Sequence, residues 1–170
     1  MEINAKLFRS TMGLFATGVT VISYLSDGEP TGMTVNAFMS VSMEPPLVLV
    51  SVRKQSRFND MVRVGVCYGV NFLAESQQAI STHFGGKRDE TLRVPYVYSE
   101  ETPLVLGSLA HIVARTTAVH EAGDHRLYVA QIEHLRLGEQ RKPLVFFSGK
   151  YKQVEAHAPA AGWTANNDCW

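Results

Sequence analysis

Thr31-Gly32-Met33-Thr34-Val35-Asn36-Ala37-Phe38-Met39-Ser40-Val41-Ser42 is followed, after two residues, by Pro45-Pro46 and the apolar run Leu47-Val48-Leu49-Val50-Ser51-Val52. A stretch bounded by strand-like apolar residues does not normally carry so many small and hydroxylated ones. Here Gly, Thr, Asn, Ala and Ser leave main-chain amides and short donors open to something flat and rich in acceptors. An isoalloxazine ring, with carbonyl oxygens and ring nitrogens along one edge, is such an object. The stretch therefore points to a flavin site on a β scaffold.

On either side of it the chain alternates a few short helices with many strands. Phe8, Met12 and Phe15, with Leu7 and Leu14 beside them, recur at helical spacing over residues 4–16 and predict an amphipathic helix that ends at Gly18. Val19 to Leu25 is rich in β-branched residues, and Ser26-Asp27-Gly28-Glu29 reads as a tight turn into a strand over Thr31–Val35. Phe38–Ser42 and Leu47–Val52 read as two further strands separated by the Pro45-Pro46 break. Ser56 can cap a short helix running through Val62, and Val64 to Leu73 returns as a strand. Glu75 to Phe84 reads as helix, and Gly85 to Pro103, with Gly-Gly, mixed charges and two prolines, as a long surface loop. Leu109–His120, Leu127–Leu137 and Leu144–Phe147 are late strands, and the residues from about His157 form an Ala-, Pro- and Asn-rich tail. Many short strands with few helices predict an antiparallel barrel with helices at its rim. One domain over residues 1–155 and a tail over 156–170 is the expected division.

The composition restricts the function classes. A chain of 170 residues with 45% hydrophobic and 19% charged content suits one globular domain with a real core. The formal net charge is zero, so no basic field recommends nucleic acid or an anionic membrane. Met1 to Gly18 lacks the basic and apolar blocks of a signal peptide, and no apolar run approaches the ~20 residues that span a bilayer. The cysteines, Cys67 and Cys169, have no metal-ligand spacing and read as free thiols of a reducing cytoplasm. His83, His111, His134 and His157 are scattered, no H-E-x-x-H occurs, and no metal site is expected.

Three further constellations have both a bland and a functional reading. Gly123-Asp124-His125 is either a turn with a solvated histidine or a loop presenting an imidazole at the barrel mouth. Ser51-Val52-Arg53-Lys54-Gln55-Ser56-Arg57 is either a solvated basic turn or an array of hydroxyls, amides and a helix N-terminus arranged for a phosphate. Phe84-Gly85-Gly86-Lys87-Arg88 is either a flexible loop or a wrap around the ribityl-phosphate or adenine end of a cofactor. No G-x-G-x-x-G follows a strand and no G-x-S-x-G occurs, which argues against a Rossmann site and a hydrolase. Arg88, Arg93 and Arg126 could each meet a nucleotide 2′-phosphate or simply be solvated.

Four motifs occur together in one order: Phe8-Arg9-x-x-Met12-Gly13-x-Phe15-Ala16-Thr17-Gly18-Val19-Thr20-Val21-Ile22, the Gly32–Ser42 run, Gly123-Asp124-His125, and Pro143-Leu144-x-Phe146-Phe147-Ser148-Gly149-Lys150-Tyr151. In this the chain resembles the short-chain flavin reductases, and most of all the small reductase components of two-component phenol and 4-hydroxyphenylacetate hydroxylases. The resemblance runs from about Leu7 to Gln153. It implies a mostly β fold, a split β-barrel of the Greek-key, FMN-binding type with a few peripheral helices. It also implies a homodimer and an NAD(P)H:flavin oxidoreductase that passes reduced FAD or FMN to a separate flavin-dependent monooxygenase. Carried over by motif, Met33, Thr34, Val35, Asn36, Ala37 and Ser40 would line the isoalloxazine. Ser51, Val52, Arg53, Ser56 and Arg57 would hold the ribityl-phosphate region, with Phe84 and Lys87 nearby. His125 would contact the nicotinamide of NADH or NADPH as the catalytic residue. Two other readings share the slot: a flavoprotein that keeps its FMN or FAD and reduces another acceptor, and a non-enzymatic flavin-binding module.

Overall fold

The protein is described by a computed structural model covering residues 4–139 and 141–155. The tail over 156–170, with Cys169, lies outside the described residues.

Helix α1 (Ala5–Met12) starts where Asn4 Oδ1 accepts the amides of Lys6 and Leu7, at 3.1 and 2.9 Å. It is shorter than the predicted 4–16, stopping at Gly13. Thr17 and Gly18, expected to end the helix, are instead strand β1 (Thr17–Gly18), paired with Val145 and Phe146. A partner more than a hundred residues away in sequence therefore sets that boundary.

Strands β2 (Thr20–Ser26) and β3 (Glu29–Val35) form the expected hairpin. Asp27 and Gly28 take the two positive φ angles, 54° and 83°, that a two-residue turn of the right twist requires. Strands β4 (Phe38–Met43) and β5 (Pro46–Arg53) pair next, and α2 (Phe58–Met61) leads from β5 to β6 (Cys67–Phe72). A single 3₁₀ turn (Glu75–Gln77) precedes α3 (Gln78–Phe84). The segment expected to be an irregular loop contains a hairpin, β7 (Tyr96–Ser99) with β8 (Thr102–Val105). Then come the long β9 (Ala110–Ala122) and β10 (His125–Leu137), and finally β11 (Val145–Phe147) and β12 (Lys150–Lys152).

The main sheet has seven antiparallel strands in the order β3-β2-β6-β9-β10-β5-β4. The β9–β10 hairpin lies between β5 and β6, which α2 connects, as in a Greek key. Alternate residues of these strands point inward to one core: Ile22, Tyr24, Val48, Val50, Val52, Tyr68, Val70, Ile112, Ala114, Tyr128 and Ala130. Inner faces that share one core mean that the sheet curls on itself. β3 and β4 remain its two edges, so the barrel is split there, as the sequence led us to expect. Phe58 of α2 is fully buried in that core, edge-on to Tyr24, Tyr68 and Tyr128 with ring centroids 5.2, 5.5 and 4.9 Å away.

A second, smaller core fills the outer side, where Val19, Val21, Leu73, Ile80, Val105 and Leu144 pack with Phe84, Phe146 and Tyr151. The β7–β8 hairpin is held by buried polar groups, not by local signals. Ser23 Oγ donates to the Pro103 carbonyl, Asn71 Nδ2 donates to the Val21 carbonyl and Ser23 Oγ, and Asn71 Oδ1 accepts the Val105 amide. Gly69 permits this approach, because a Cβ there would lie 2.8 Å from the Pro103 carbonyl oxygen.

Candidate functional site

The two segments singled out from sequence, 33–40 and 51–57, converge at the open edge of the barrel. Strand alternation decides what each residue offers. Met33 and Val35 pack against the inner core, and Val52 is 3% exposed, so these three present main chain to the outside. Thr34, between Met33 and Val35, faces the other way, and its hydroxyl donates to the Ser81 carbonyl of α3 at 2.7 Å. That bond ties β3 to the helix that ends in Phe84. A Cβ on Gly32 would lie 3.6 Å from the Phe84 ring, and one on Gly85 would lie 3.8 Å from Thr34 Cβ. Lys87, just beyond, is fixed through its amide to the Thr82 carbonyl at 3.2 Å and leaves its side chain exposed.

Asn36 and Ala37 make the bend from β3 to β4 and are exposed, as is Ser40. The Ala37 carbonyl accepts the Ser51 amide at 3.0 Å, which joins the bend to the end of β5. Ser56 Oγ contacts Met33 Sδ at 3.5 Å and accepts the Phe58 amide at 3.3 Å. The hydroxyl thus binds both β3 and the start of α2, although the assigned N-cap is Arg57. α2 is one turn long and has little dipole to offer. Any attraction for an anion here comes from side-chain charge and loop amides, a revision of the helix N-terminus expected from the sequence.

The β10–β5 register places His125 directly opposite Arg53, and the Lys54 amide donates to the Asp124 carbonyl at 3.0 Å. His125 is the first residue of β10 and not a loop residue. It pairs with Ala122, leaving Gly123-Asp124 as a two-residue turn with Gly123 at φ 62°. The His125 Nδ1 lies 2.7 Å from Asp124 Oδ1, and since a carboxylate only accepts, Nδ1 carries the proton. This bond, and then the charge of His125, hold the Asp124 carboxyl below its ordinary 3.8. The Nε2 edge of the ring is left for another partner. On the opposite face of the hairpin Glu121 bridges Lys54 and Arg126, at 2.6 and 2.8 Å. Arg126 is thus engaged within the chain.

The structure therefore draws the sequence candidates into one strip: the end of α3, the β3–β4 bend, the end of β5, the 53–57 loop and the tip of β9–β10. The strip is an open face; Asn36, Ala37, Ser40, Arg53, Arg57 and Lys87 are all exposed. Arg53, Arg57 and Lys87 form no ion pair with the other described residues. Small residues, open main chain, a hydroxyl and uncommitted cations in this order fit a ring followed by a phosphate. Two surface cavities lie elsewhere. One, of about 440 Å³, is lined by Arg9, Gly13, Leu14, Ser148 and Gly149; the other, of about 500 Å³, is lined by Tyr24, Met61, Cys67, Glu100 and Arg115. Among the described residues no three His, Cys, Asp or Glu side chains converge to hold a metal, and no helix is long and apolar enough to cross a membrane.

Two residues of the strip escaped the sequence reading. Ser81 is buried, accepts Thr34 through its carbonyl and bonds Tyr151 Oη through its hydroxyl at 2.8 Å. Asn59 gathers the loop carbonyls of Arg53, Lys54 and Ser56. No sequence signal marks Ser81, whose partners Thr34 and Tyr151 meet it only in the fold; the three carbonyls that Asn59 gathers are local, and its distant partner is Tyr128.

Comparison with known proteins agrees with this geometry. Residues 12–155 match the model of the flavin reductase like domain. An NADH-dependent flavin reductase of a Rhodococcus species is 38% identical over 157 residues, covering 91% of this chain and 89% of the relative. The reductase component of 4-hydroxyphenylacetate 3-monooxygenase from Thermus thermophilus is 36% identical over 147 residues, covering 86% and 95%. The solved structure of the flavin reductase PheA2 superposes with a TM-score of 0.83 at 37% identity, covering 91% of this chain and all of that one. By fold, by the order of its motifs and by these likenesses, the chain belongs to the flavin reductase like domain family.

Proposed function

We propose that the protein is an NAD(P)H:flavin oxidoreductase that reduces FAD or FMN and delivers it to a separate flavin-dependent monooxygenase. The single observation that carries this reading is the strip itself, which sets a ring-sized run of open main chain and uncommitted cations beside His125. The names of the relatives, an NADH-dependent flavin reductase and a monooxygenase reductase component, support it.

A flavin supplies the electron-accepting ring, so the chain needs no nucleophile or metal of its own. Its residues bind and orient. The Met33–Ala37 main chain offers amides to the ring edge, with Ser40 and Phe84 at its margins. Ser51, Ser56, Arg53, Arg57 and Lys87 offer hydroxyls and positive charge to the ribityl phosphate. The main chain at Val52 keeps that loop in register with β10. His125, oriented by Asp124, would offer Nε2 to the nicotinamide carboxamide and so help to orient that ring for hydride transfer to the flavin.

A homodimer fits the same reading. The strip is open in one chain, and apolar side chains stand exposed on β4 (Met39, Val41, Met43), the strand that carries Ser40, and on and after α1 (Phe8, Met12, Phe15). A second copy would cover such surface and close the site. A cytoplasmic location accords with the free Cys67 thiol, and residues 12–155 support a single reductase domain over 1–155 with 156–170 as a tail.

The test is anaerobic mixing of the protein with NADH and a several-fold excess of FAD or FMN, following the oxidised-flavin absorbance. Catalytic loss of the excess is the expected result. Loss of one bound equivalent would mean a retained prosthetic group, and no loss with NADH or NADPH would mean a flavin-binding module.

A further inference from the structure

The geometry points to Asn59 as the residue that positions the 53–57 loop for the phosphate of its flavin, an inference that rests on the phosphate reading of that loop. The Asn59 Nδ2 donates to the carbonyls of Arg53, Lys54 and Ser56 at 2.8, 3.1 and 2.8 Å. Two N–H groups are thus shared among three acceptors. Its Oδ1 accepts the Tyr128 hydroxyl at 2.9 Å, and Tyr128 is 1% exposed in the barrel core on the strand that begins with His125. The amide cannot turn over, because a reversed Asn59 would set an oxygen against three carbonyl oxygens.

The consequence is a loop with one arrangement. Three carbonyls converge on one half-buried side chain, those of Arg53 and Ser56 also accepting the backbone amides of Ser56 and Asn59, and Arg53, Ser56 and Arg57 are displayed around it. Two long cationic side chains on a free loop would have to be ordered when the anion arrives, whereas here the backbone part of that cost is met on folding. Asn59 need not touch the ligand; it acts through the loop. Its removal is therefore expected to be read in the phosphate and not in the ring, whose proposed contacts lie on residues 33–40.

The experiment titrates the full-length, flavin-free protein with FMN and with riboflavin by fluorescence quenching, for the wild type, Asn59→Ala and Tyr128→Phe. Thermal midpoints and the NADH KM at saturating flavin are recorded alongside. The wild type is expected to hold FMN more tightly than riboflavin. Asn59→Ala is expected to lose about tenfold or more in FMN affinity, the scale of one or two hydrogen bonds, and less than about twofold for riboflavin. Tyr128→Phe, which frees the amide without deleting it, is expected to shift the same ratio less, and it decides the matter if Asn59→Ala does not fold. Equal loss for both ligands, or an unchanged ratio, would overturn the inference and leave Asn59 a structural residue. A wild type that does not distinguish FMN from riboflavin would instead overturn the phosphate reading, and the inference with it.

Discussion

Replacing Gly69 by alanine tests the docking of the β7–β8 hairpin, the element that the sequence conceals. A Cβ at this position would lie 2.5 Å from Ser23 Oγ, 2.7 Å from Leu104 Cδ2 and 2.8 Å from the Pro103 carbonyl oxygen. Ordinary van der Waals contact begins at 3.4 Å, so the Pro103 oxygen must retreat by 3.4 − 2.8 = 0.6 Å. The Leu104 side chain can rotate, but the Pro103 carbonyl is backbone and accepts the Ser23 hydroxyl. Overpacking of this kind costs about 1–3 kcal/mol. Distorting the hydrogen bond from Ser23 costs about 1 kcal/mol more. The stiffer unfolded chain of an alanine variant offsets roughly 0.5–1 kcal/mol of this. The net loss is about 1–3.5 kcal/mol, and at roughly 2–4 °C per kcal/mol for a chain of this size the midpoint should fall by about 2–14 °C. Thermal unfolding followed by circular dichroism reads this directly. Because Gly69 lies on the outer face of β6 and the proposed site on the β3–β4 side, flavin affinity well below the midpoint should be unchanged. A fall of less than about 2 °C would refute the packing argument.

Three other outcomes are expected. His125→Ala should raise the NADH KM and slow flavin reduction in stopped flow, with little change in flavin affinity; an unchanged rate and KM would remove His125 from the nicotinamide site. The Asp124 carboxyl, held below 3.8 mainly by its bond to His125, keeps that bond above its ordinary value and loses it only as pH falls through the lowered one. An NMR titration should therefore find its midpoint below 3.8 in the wild type and back near 3.8 in His125→Ala. Burial, then the hydrogen bond that the thiol donates to the Glu133 carboxylate, push Cys67 up to about 11. In a Cys169→Ser protein, iodoacetamide labelling of Cys67 should be slow at neutral pH and keep accelerating past pH 9; a plateau near 9 would contradict the raised value.

What the sequence could determine by itself was whatever nearby residues decide. Asp27-Gly28 accepts positive φ at low cost, so the β2–β3 hairpin was legible. Leu47 to Val52 is an apolar run after the Pro45-Pro46 break, so β5 was legible as a strand; that Val48, Val50 and Val52 form its inner face was not, because Leu47 and Leu49 are equally apolar. The ordered motifs carried the mostly β, split-barrel class and the family. The tertiary structure decided what depends on distant partners. The β7–β8 turn is Glu100-Glu101, with Glu100 at φ 52°, and its second strand contains Pro103. No local rule favours a hairpin there; Ser23 and Asn71, some 30 to 80 residues away, supply the hydrogen bonds that make one. The site follows the same division. The hydroxyls, amides and cations were visible as residue types. Which of them face the strip depended on strand alternation, which turned Met33, Val35 and Val52 inward and engaged the Thr34 hydroxyl with Ser81. That Arg53 stands opposite His125 is a matter of β5–β10 register, and that Asn59 gathers three carbonyls is a matter of loop path. Local propensity does not set the register, because a backbone hydrogen bond is indifferent to sequence separation; the Asn59 bonds to its loop are local, but the Tyr128 hydroxyl that holds its Oδ1 comes from a strand that arrives only when the core has closed.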